Sequence, residues 1–189
     1  MEKCQTCKKD ESTIRYGEER FCLTCYNTLM TEELGVEATS YPKSLSIRDG
    51  LGEVHRYRLR KRLDPIGVIM EAEEQVEEGG YFFQLSGDID CDQEKLLMKL
   101  LAKAEKGMAE AYVEEKLFED ETTYHGLRNE RLAGRIEWNP AAEEIPLLVV
   151  DGKPYMWEQI GKLLMHYEGF QLKMEILDPG EEIEWNKDK

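Results

Sequence analysis

The sequence predicts an α+β protein in which a small cysteine-rich module precedes a mostly antiparallel sheet, a β meander, that packs with two helices. Two Cys-x-x-Cys pairs lie near the start of a chain of 189 residues. Between residues 43 and 89, apolar and polar residues alternate and are separated by short turn sequences, which is typical of hairpin-connected strands. Residues 93–118 and 157–167 instead repeat apolar residues every three or four positions, which indicates helices.

The distribution of charge limits the function. The formal net charge is −15. Residues 1–62 hold 12 Lys/Arg and 10 Asp/Glu, whereas residues 63–189 hold 13 and 30. Because so acidic a body repels nucleic-acid phosphates, a nucleic-acid role is confined to the N-terminal third. No run approaches the roughly 18 apolar residues of a membrane span, so we expect a cytoplasmic protein without a membrane contact.

The spacing Cys4-x2-Cys7 and Cys22-x2-Cys25 predicts one structural zinc ion bound by these four cysteines. A Cys-x-x-Cys turn directs two thiolates at one tetrahedral centre, and two such turns complete a closed site. The chain has five cysteines, an odd number, which favours metal ligands in a reducing compartment over a disulfide framework. Because four protein ligands leave no open position, the ion is expected to stabilise rather than to catalyse.

The residues around these cysteines predict a hairpin and a helix. Residues 13–16 and 20–21 have the pattern of short strands, and residues 23–34 that of a helix ended by Gly35. A cysteine turn, a hairpin and a second cysteine turn that opens a helix resemble the treble-clef zinc finger. The resemblance covers residues 1–35 and implies a scaffold that can serve protein binding, nucleic-acid binding or stability alone.

The remaining chain is divided by composition and turn signals. The predicted organisation is a zinc-binding module at residues 1–36, a polar linker at 37–42, an acidic α+β domain at 43–180 and an acidic tail at 181–189. Further strands are predicted at residues 43–48, 53–63, 68–76, 81–89, 131–138, 147–150, 153–155 and 170–177.

The strand at residues 53–63 places four arginines on one face, namely Arg56, Arg58, Arg60 and Arg62. We call this row the arginine face. It is a candidate nucleic-acid surface, because four aligned cations can follow a phosphate backbone. The next strand offers another interpretation: if Asp64 pairs with Gly67, then Arg60 lies opposite Glu71. Such pairs of opposite charge stabilise a sheet, so ion pairing is the favoured interpretation.

The segment from Asp88 to Asp92 carries the other candidate chemistry. Its aspartates, Asp88, Asp90 and Asp92, lack the glycine and glutamate of a calcium loop and are better suited to a helix N-terminus. Asp90 with Gln93 has the spacing of a capping box. The fifth cysteine, Cys91, lies beside these acids, which oppose a thiolate. The three histidines, His55, His125 and His166, have no catalytic motif around them, and no catalytic residue is assigned.

Aromatic and methionine residues are frequent in the C-terminal third, including Trp138, Trp157, Met156, Met165, Tyr167 and Phe170. Core packing is the first interpretation, and an exposed patch for a partner is the second. Gly87–Asp92, Arg135–Trp138, Val150–Gly152 and Tyr167–Phe170 resemble segments of an uncharacterised bacterial family, some of whose members carry an N-terminal CxxC…CxxC module. The resemblance implies a bacterial cytoplasmic protein and assigns no activity.

Three functional hypotheses follow. The first is a non-enzymatic interaction or regulatory protein that binds another protein. The second is a nucleic-acid-binding protein that uses the zinc module and the arginine face. The third is an enzyme with a carboxylate-based site between the sheet and the helices.

Overall fold

The computed structural model describes residues 2–117 and 123–185 and confirms the α+β class. Within these residues, the helices are α1 (Leu23–Leu34), α2 (Gln93–Gly107) and α3 (Trp157–Leu164), with short 3-10 helices at Arg128–Glu130 and Met165–Tyr167. The strands are β1 (Ile14–Tyr16), β2 (Glu19–Phe21), β3 (Ser44–Arg48), β4 (Val54–Asp64), β5 (Gly67–Glu74), β6 (Phe82–Gly87), β7 (Val113–Leu117), β8 (Thr123–Leu127), β9 (Arg135–Glu137), β10 (Leu147–Val150) and β11 (Lys153–Tyr155).

The N-terminal module is the predicted hairpin and helix. Strands β1 and β2 pair antiparallel, with Ile14 opposite Phe21. Helix α1 ends at Gly35, whose φ of 65° is a left-handed conformation that glycine adopts without a steric penalty. Tyr26 and Met30 on α1 are buried, so one face of this helix packs inward.

The meander is a four-stranded antiparallel sheet in the order β3-β4-β5-β6. The predicted register is confirmed, because Asp64 pairs with Gly67 and Arg60 lies opposite Glu71. On the inward face of β4 and β5, Leu63 lies opposite Val68, and both side chains are fully buried. The arginine face lies on the opposite, outward side of β4.

Helix α2 covers the inward face of this sheet with four buried side chains, Leu96, Leu100, Ala104 and Met108 at its end. The hydroxyl of Tyr57 on β4 donates to the sulfur of Met108 at 2.9 Å. Helix α1 also contacts β4, so the two helices on the meander are α1 and α2, and α3 contacts β8 instead. The core beneath α1 and α2 is continuous from Phe21 and Met30 to Leu63.

The predicted helix at residues 93–118 is too long. Helix α2 ends at Gly107, where an added Cβ would lie 2.5 Å from a carbon of the Phe83 ring. Beyond it, the carboxylate of Asp151 accepts the backbone N–H of Val113 at 2.8 Å, and β7 then pairs with β8. Tertiary pairing overrides the helical spacing of this segment. Residues 118–122 lie outside the described part of the chain.

The C-terminal part forms two small sheets, β7-β8 and β11-β10-β9, around a second apolar cluster. Its buried members are Leu127, Ile160 and Leu163. The strand predicted at residues 131–138 is shortened to β9. The strand predicted at residues 170–177 is wrong, because residues 169–178 have no regular secondary structure. Alternation favours an extended chain, but a strand also needs a neighbour with which to exchange hydrogen bonds.

Hydrogen bonds join the C-terminal sheets to the turn between β5 and β6. The N–H of Gly80 donates to the C=O of Gly152 at 2.7 Å, and the guanidinium of Arg135 donates to the C=O of Gly80 at 3.2 Å. The boundaries predicted at residues 36–43 and 180 stay predictions, and residues 186–189 of the predicted tail lie outside the described residues. No helix in the described residues is long and apolar enough to cross a bilayer.

Candidate metal centre

The four cysteines predicted to bind zinc converge on one point. We call Cys4, Cys7, Cys22 and Cys25 the cysteine cluster, and their sulfur atoms all lie within 4.8 Å of one another. The sulfurs of Cys7 and Cys22 are 3.9 Å apart. A tetrahedral ion with metal–sulfur distances of about 2.3 Å holds its ligands about 3.8 Å apart, whereas a disulfide brings sulfurs to about 2.05 Å. The spacing therefore fits four ligands around one metal ion.

Local backbone structure positions each cysteine. The N–H of Cys4 donates to the C=O of Asp10, and the N–H of Lys8 returns to the C=O of Cys4, both at 2.9 Å, which closes the first turn. Cys22 occupies the N-cap position of α1, and Cys25 lies in the first turn of that helix. The hairpin thus brings the two thiols of the first turn next to the two thiols at the start of α1, as a small zinc module requires.

The environment of the cluster shifts the pKa values of its thiols in opposite directions. Burial opposes ionisation of Cys4, but backbone N–H groups of Cys22, Cys7 and Thr6 outweigh it and lower its pKa to about 6. Burial and the neighbouring thiols raise the pKa of Cys25 to about 12. Four thiolates so close together repel one another, and a divalent cation at their centre removes that repulsion. Four protein thiols can fill a tetrahedral coordination sphere, and a site closed in this way is typical of a structural rather than a catalytic ion.

The arginine face lies on the outer side of β4 and is interleaved with acids from β5. Arg56, Arg58 and Arg60 are exposed, and Arg62 is half-buried. The guanidinium of Arg60 lies 3.3 Å from the carboxylate of Glu73. Glu73 is diagonal to Arg60 across the two strands, whereas Glu71 lies directly opposite it. The cation of Arg62 lies 3.7 Å from Asp64. This surface therefore carries both charges, and its binding to nucleic acid stays a prediction.

The acids before α2 cap the helix, but the capping residue differs from the prediction. Asp92, and not Asp90, is the N-cap, and its carboxylate accepts the N–H of Lys95 at 3.0 Å. Gln93 is instead buried and bonds to the linker. Burial, followed by Asp88, Asp90 and Asp92, raises the pKa of Cys91, which disfavours a nucleophilic thiolate. These residues cap and pack.

Two of the three histidines, His125 and His166, lie in the C-terminal part of the chain. His125 is on β8, and the ring of His166 stacks on that of Tyr124 with centroids 4.8 Å apart. Neither residue is close to the cysteine cluster in sequence, and neither belongs to a cluster of metal-ligand side chains in the described part of the chain. The enzyme hypothesis stays without an assigned catalytic residue.

A second polar group around His55 escaped the sequence interpretation. Its Nδ1 lies 2.6 Å from Glu74 and its Nε2 lies 3.4 Å from Asp49. Burial opposes protonation, but Glu74 and then Asp49 outweigh it, so the pKa of His55 is raised. The available signal was the alternation of β4, which puts His55 on the same side as buried Tyr57 and Leu59. A titratable residue on an apolar face needs partners.

Comparison with known proteins divides the chain into three consecutive matches. Residues 3–37 match a family described as Domain of unknown function (DUF7685), residues 39–109 match Domain of unknown function (DUF7686), and residues 112–181 match Domain of unknown function (DUF7713). These matches meet within the predicted linker and again where the chain passes from α2 to β7. No curated protein and no solved structure matches the chain.

Proposed function

We propose that this protein is a zinc-stabilised, non-enzymatic interaction protein that binds another protein through residues 169–178, the C-terminal segment. The observation that carries the proposal is an exposed row of apolar side chains. Phe170, Leu172, Met174 and Ile176 are 70%, 68%, 63% and 71% exposed. Large exposed apolar surfaces on a folded protein mark interaction sites.

The alternation of the segment indicates how a partner binds it. Gln171, Lys173 and Glu175 separate the apolar residues, as in a strand with one apolar and one polar side. The N–H groups of Phe170 and Asp178 are bonded to Tyr167 and Glu181, but no backbone hydrogen bond of residues 171–177 is found within the described chain. These residues can therefore add to the sheet edge of a partner. The expected partner presents an open strand edge beside an apolar surface.

Contacts at both ends hold the segment against the protein. At its start, the rings of Tyr167 and Phe170 meet edge to face, with centroids 5.9 Å apart. Just beyond its end, the ammonium of Lys103 on α2 donates to the C=O of Pro179 at 2.7 Å, and Lys106 pairs with Glu182. Anchored ends reduce the conformational entropy that binding removes, which favours a specific complex.

The metal in this proposal is one structural Zn²⁺ in the cysteine cluster. Thiolate ligands at tetrahedral spacing select Zn²⁺ among the common divalent ions. The same chemistry supports a location in the cytoplasm, where thiols stay reduced. The contribution of the ion is to fold residues too few to form a stable core of their own.

The test is capture of a protein partner by the full chain, with nuclease and high salt. The variant Phe170→Asp with Met174→Asp changes the net charge by −2 on the apolar positions of the segment. The control Gln171→Asp with Lys173→Gln changes it by the same −2 on the polar positions. A partner that is retained by the wild type and the control but lost by the first variant supports the proposal. Equal recovery by both variants, or no partner with the wild type, contradicts it.

A nucleic-acid-binding function is the second candidate, and the exposure of Arg56 and Arg58 favours it. Neither the register nor the fold removes these cations from solvent. Replacing both arginines with Gln is expected to weaken DNA binding. The slope of log affinity against log salt concentration should also fall by the amount expected for the loss of about two phosphate contacts. Lys95→Gln with Lys99→Gln on α2 removes the same charge elsewhere. Binding that is absent in the wild type, or equal in all three proteins, excludes this function.

A further inference from the structure

A second cluster of metal-ligand side chains lies at the turn between β3 and β4, far in sequence from the C-terminal segment. Asp49, Glu53 and His55 each direct a donor atom to within 4.8 Å of the others. We call them the acid–histidine group. Asp49 and His55 are largely buried, and Glu53 is exposed, so that the group opens to solvent on one side.

The hydrogen bonds of the neighbouring Glu74 determine which nitrogen of His55 is available. One carboxylate oxygen of Glu74 lies 2.6 Å from Nδ1 of His55, and the other accepts the N–H of Tyr81 at 2.8 Å. A carboxylate accepts hydrogen bonds, so the proton of a neutral imidazole lies on Nδ1 and the lone pair on Nε2. The ring of Tyr81 meets the imidazole edge to face and helps to fix its plane.

The lone pair on Nε2 faces a carboxylate. Its nearest acidic atom is Oδ2 of Asp49 at 3.4 Å, and this buried nitrogen makes no hydrogen bond within the described residues. The other oxygen of Asp49 is already engaged, because it accepts the N–H groups of Leu51 at 2.9 Å and Glu53 at 2.8 Å. Two electron-rich atoms that face each other in a buried place are stabilised by a positive charge between them, which either a proton or a metal ion can supply.

The separation of these two atoms fits a metal ion. In a tetrahedral site with metal–nitrogen and metal–oxygen distances of about 2.1 Å, two ligand atoms lie about 3.4 Å apart. Nε2 of His55 and Oδ2 of Asp49 have that separation. The Glu74–His55 bond also reproduces the outer carboxylate that orients a metal-binding histidine.

We propose that Asp49, Glu53 and His55 bind a second divalent metal ion, with Glu74 as the positioning carboxylate and one coordination position open to water. The donors are one imidazole and two carboxylates, which suit Zn²⁺ and other first-row ions and differ from the four thiolates of the cysteine cluster. The proposal goes beyond protein binding through the C-terminal segment and does not depend on it.

The experiment is a titration of the full chain, purified with its cysteine cluster loaded, with Zn²⁺ and separately with Co²⁺. Calorimetry and metal analysis after gel filtration measure stoichiometry. The wild type is expected to bind one additional equivalent. Bound Co²⁺ should show the visible absorption of nitrogen and oxygen ligands without added thiolate-to-cobalt charge transfer, and the ¹⁵N resonance of Nε2 in His55 should shift.

Matched variants separate the site from adventitious binding. Glu53→Gln changes an exposed ligand and is expected to weaken the second equivalent at least tenfold. Glu74→Gln removes only the outer carboxylate and is expected to weaken it by about 10–100-fold. Glu158→Gln removes an exposed acid on α3 and should leave binding unchanged. Absence of a second equivalent, or equal binding by the Glu53 and Glu158 variants, overturns the proposal. The positive charge between His55 and Asp49 would then be a proton on Nε2 of His55.

Discussion

The ammonium of Lys61 donates to the side-chain oxygen of Gln93 at 2.7 Å, and both residues are buried, with 1% and 7% of their surfaces exposed. Lys61 also donates to the C=O of Thr39, and Gln93 donates to the C=O of Glu37 at 2.9 Å. The acceptors of this buried cation are neutral oxygens. The pair therefore fixes residues 37–39, the start of the predicted linker, against β4 and the first turn of α2.

We expect Gln93→Leu to destabilise the protein by about 1–3 kcal/mol, because it leaves a buried ammonium without one of its acceptors. Urea unfolding of the full chain measures the change in free energy of unfolding. The control is Lys99→Ala, an exposed position on the same helix, where a change within about 0.5 kcal/mol is expected. Equal stability of the two variants would show that Lys61 does not depend on Gln93.

The pH dependence of stability tests the charge on Lys61. Burial lowers the pKa of Lys61 below its ordinary 10.5, and Lys43 lowers it further. The unfolded chain then binds more protons than the folded one between the lowered pKa and 10.5, so this residue adds stability as the pH rises through that window. Lys61→Met lacks the contribution.

The measurable quantity is the difference in free energy of unfolding between the wild type and Lys61→Met, from pH 7 to pH 10. We expect it to move in favour of the wild type as the pH rises, since titrations shared by both proteins cancel. A difference that stays constant over this range would mean that Lys61 keeps an ordinary pKa in the folded protein.

Charge reversal of Glu71 and Glu73 tests the arginine face. Glu71→Lys with Glu73→Lys places cations opposite and diagonal to Arg60 and is expected to lower stability by about 0.5–2 kcal/mol, since exposed pairs contribute little individually. Glu77→Lys with Glu78→Lys makes the same change of charge in the exposed turn after β5. If both double variants unfold alike, the arginines are not ion-paired and phosphate binding becomes the better interpretation.

Local patterns predicted the elements whose partners are near in sequence. Helix α1 has its predicted bounds of residues 23 and 34, and the β4–β5 register follows from the turn at Asp64 and Gly67. The convergence of the cysteine cluster was likewise predictable, because each Cys-x-x-Cys turn is local and a single hairpin joins the two. In these cases, a few neighbouring residues contain the physical cause.

Features that depend on distant residues were not predictable. Strand β7 depends on Asp151, which is 38 residues away from Val113, although its pairing partner β8 is near in sequence. The C-terminal segment has the alternation of a strand, but whether a neighbour is present is a property of the fold. The acid–histidine group joins a turn to β4, and its outer partner Glu74 is 19 residues away from His55. Sequence distance accounts for the contact with Asp151 and for the missing neighbour of the C-terminal segment. Glu74, in contrast, lies opposite Tyr57 in the predicted register, and only the structure shows its hydrogen bond to His55.

Contacts between α1 and β4 predict that the metal also stabilises the sheet. The side chain of Asn27 accepts the N–H of Leu63 at 3.0 Å and donates to the C=O of Lys61 at 2.7 Å, and the apolar core is continuous across these elements. From sequence alone, Cys22→Ser is expected to unfold residues 1–35 and to leave the acidic domain folded. The contacts instead predict that the free energy of unfolding of the sheet falls by at least about 2 kcal/mol, because two hydrogen bonds of about 1 kcal/mol each are lost.

Hydrogen exchange at the amide of Leu63 reports this coupling directly, because Asn27 is its acceptor. In Cys22→Ser, or in the wild type after chelation, we expect faster exchange there and a single thermal transition at a lower temperature. Cys91→Ser is the control, since Cys91 lies outside the cysteine cluster. Two separate transitions, with the sheet melting as in the wild type, would contradict the coupling and support a boundary at residues 37–42.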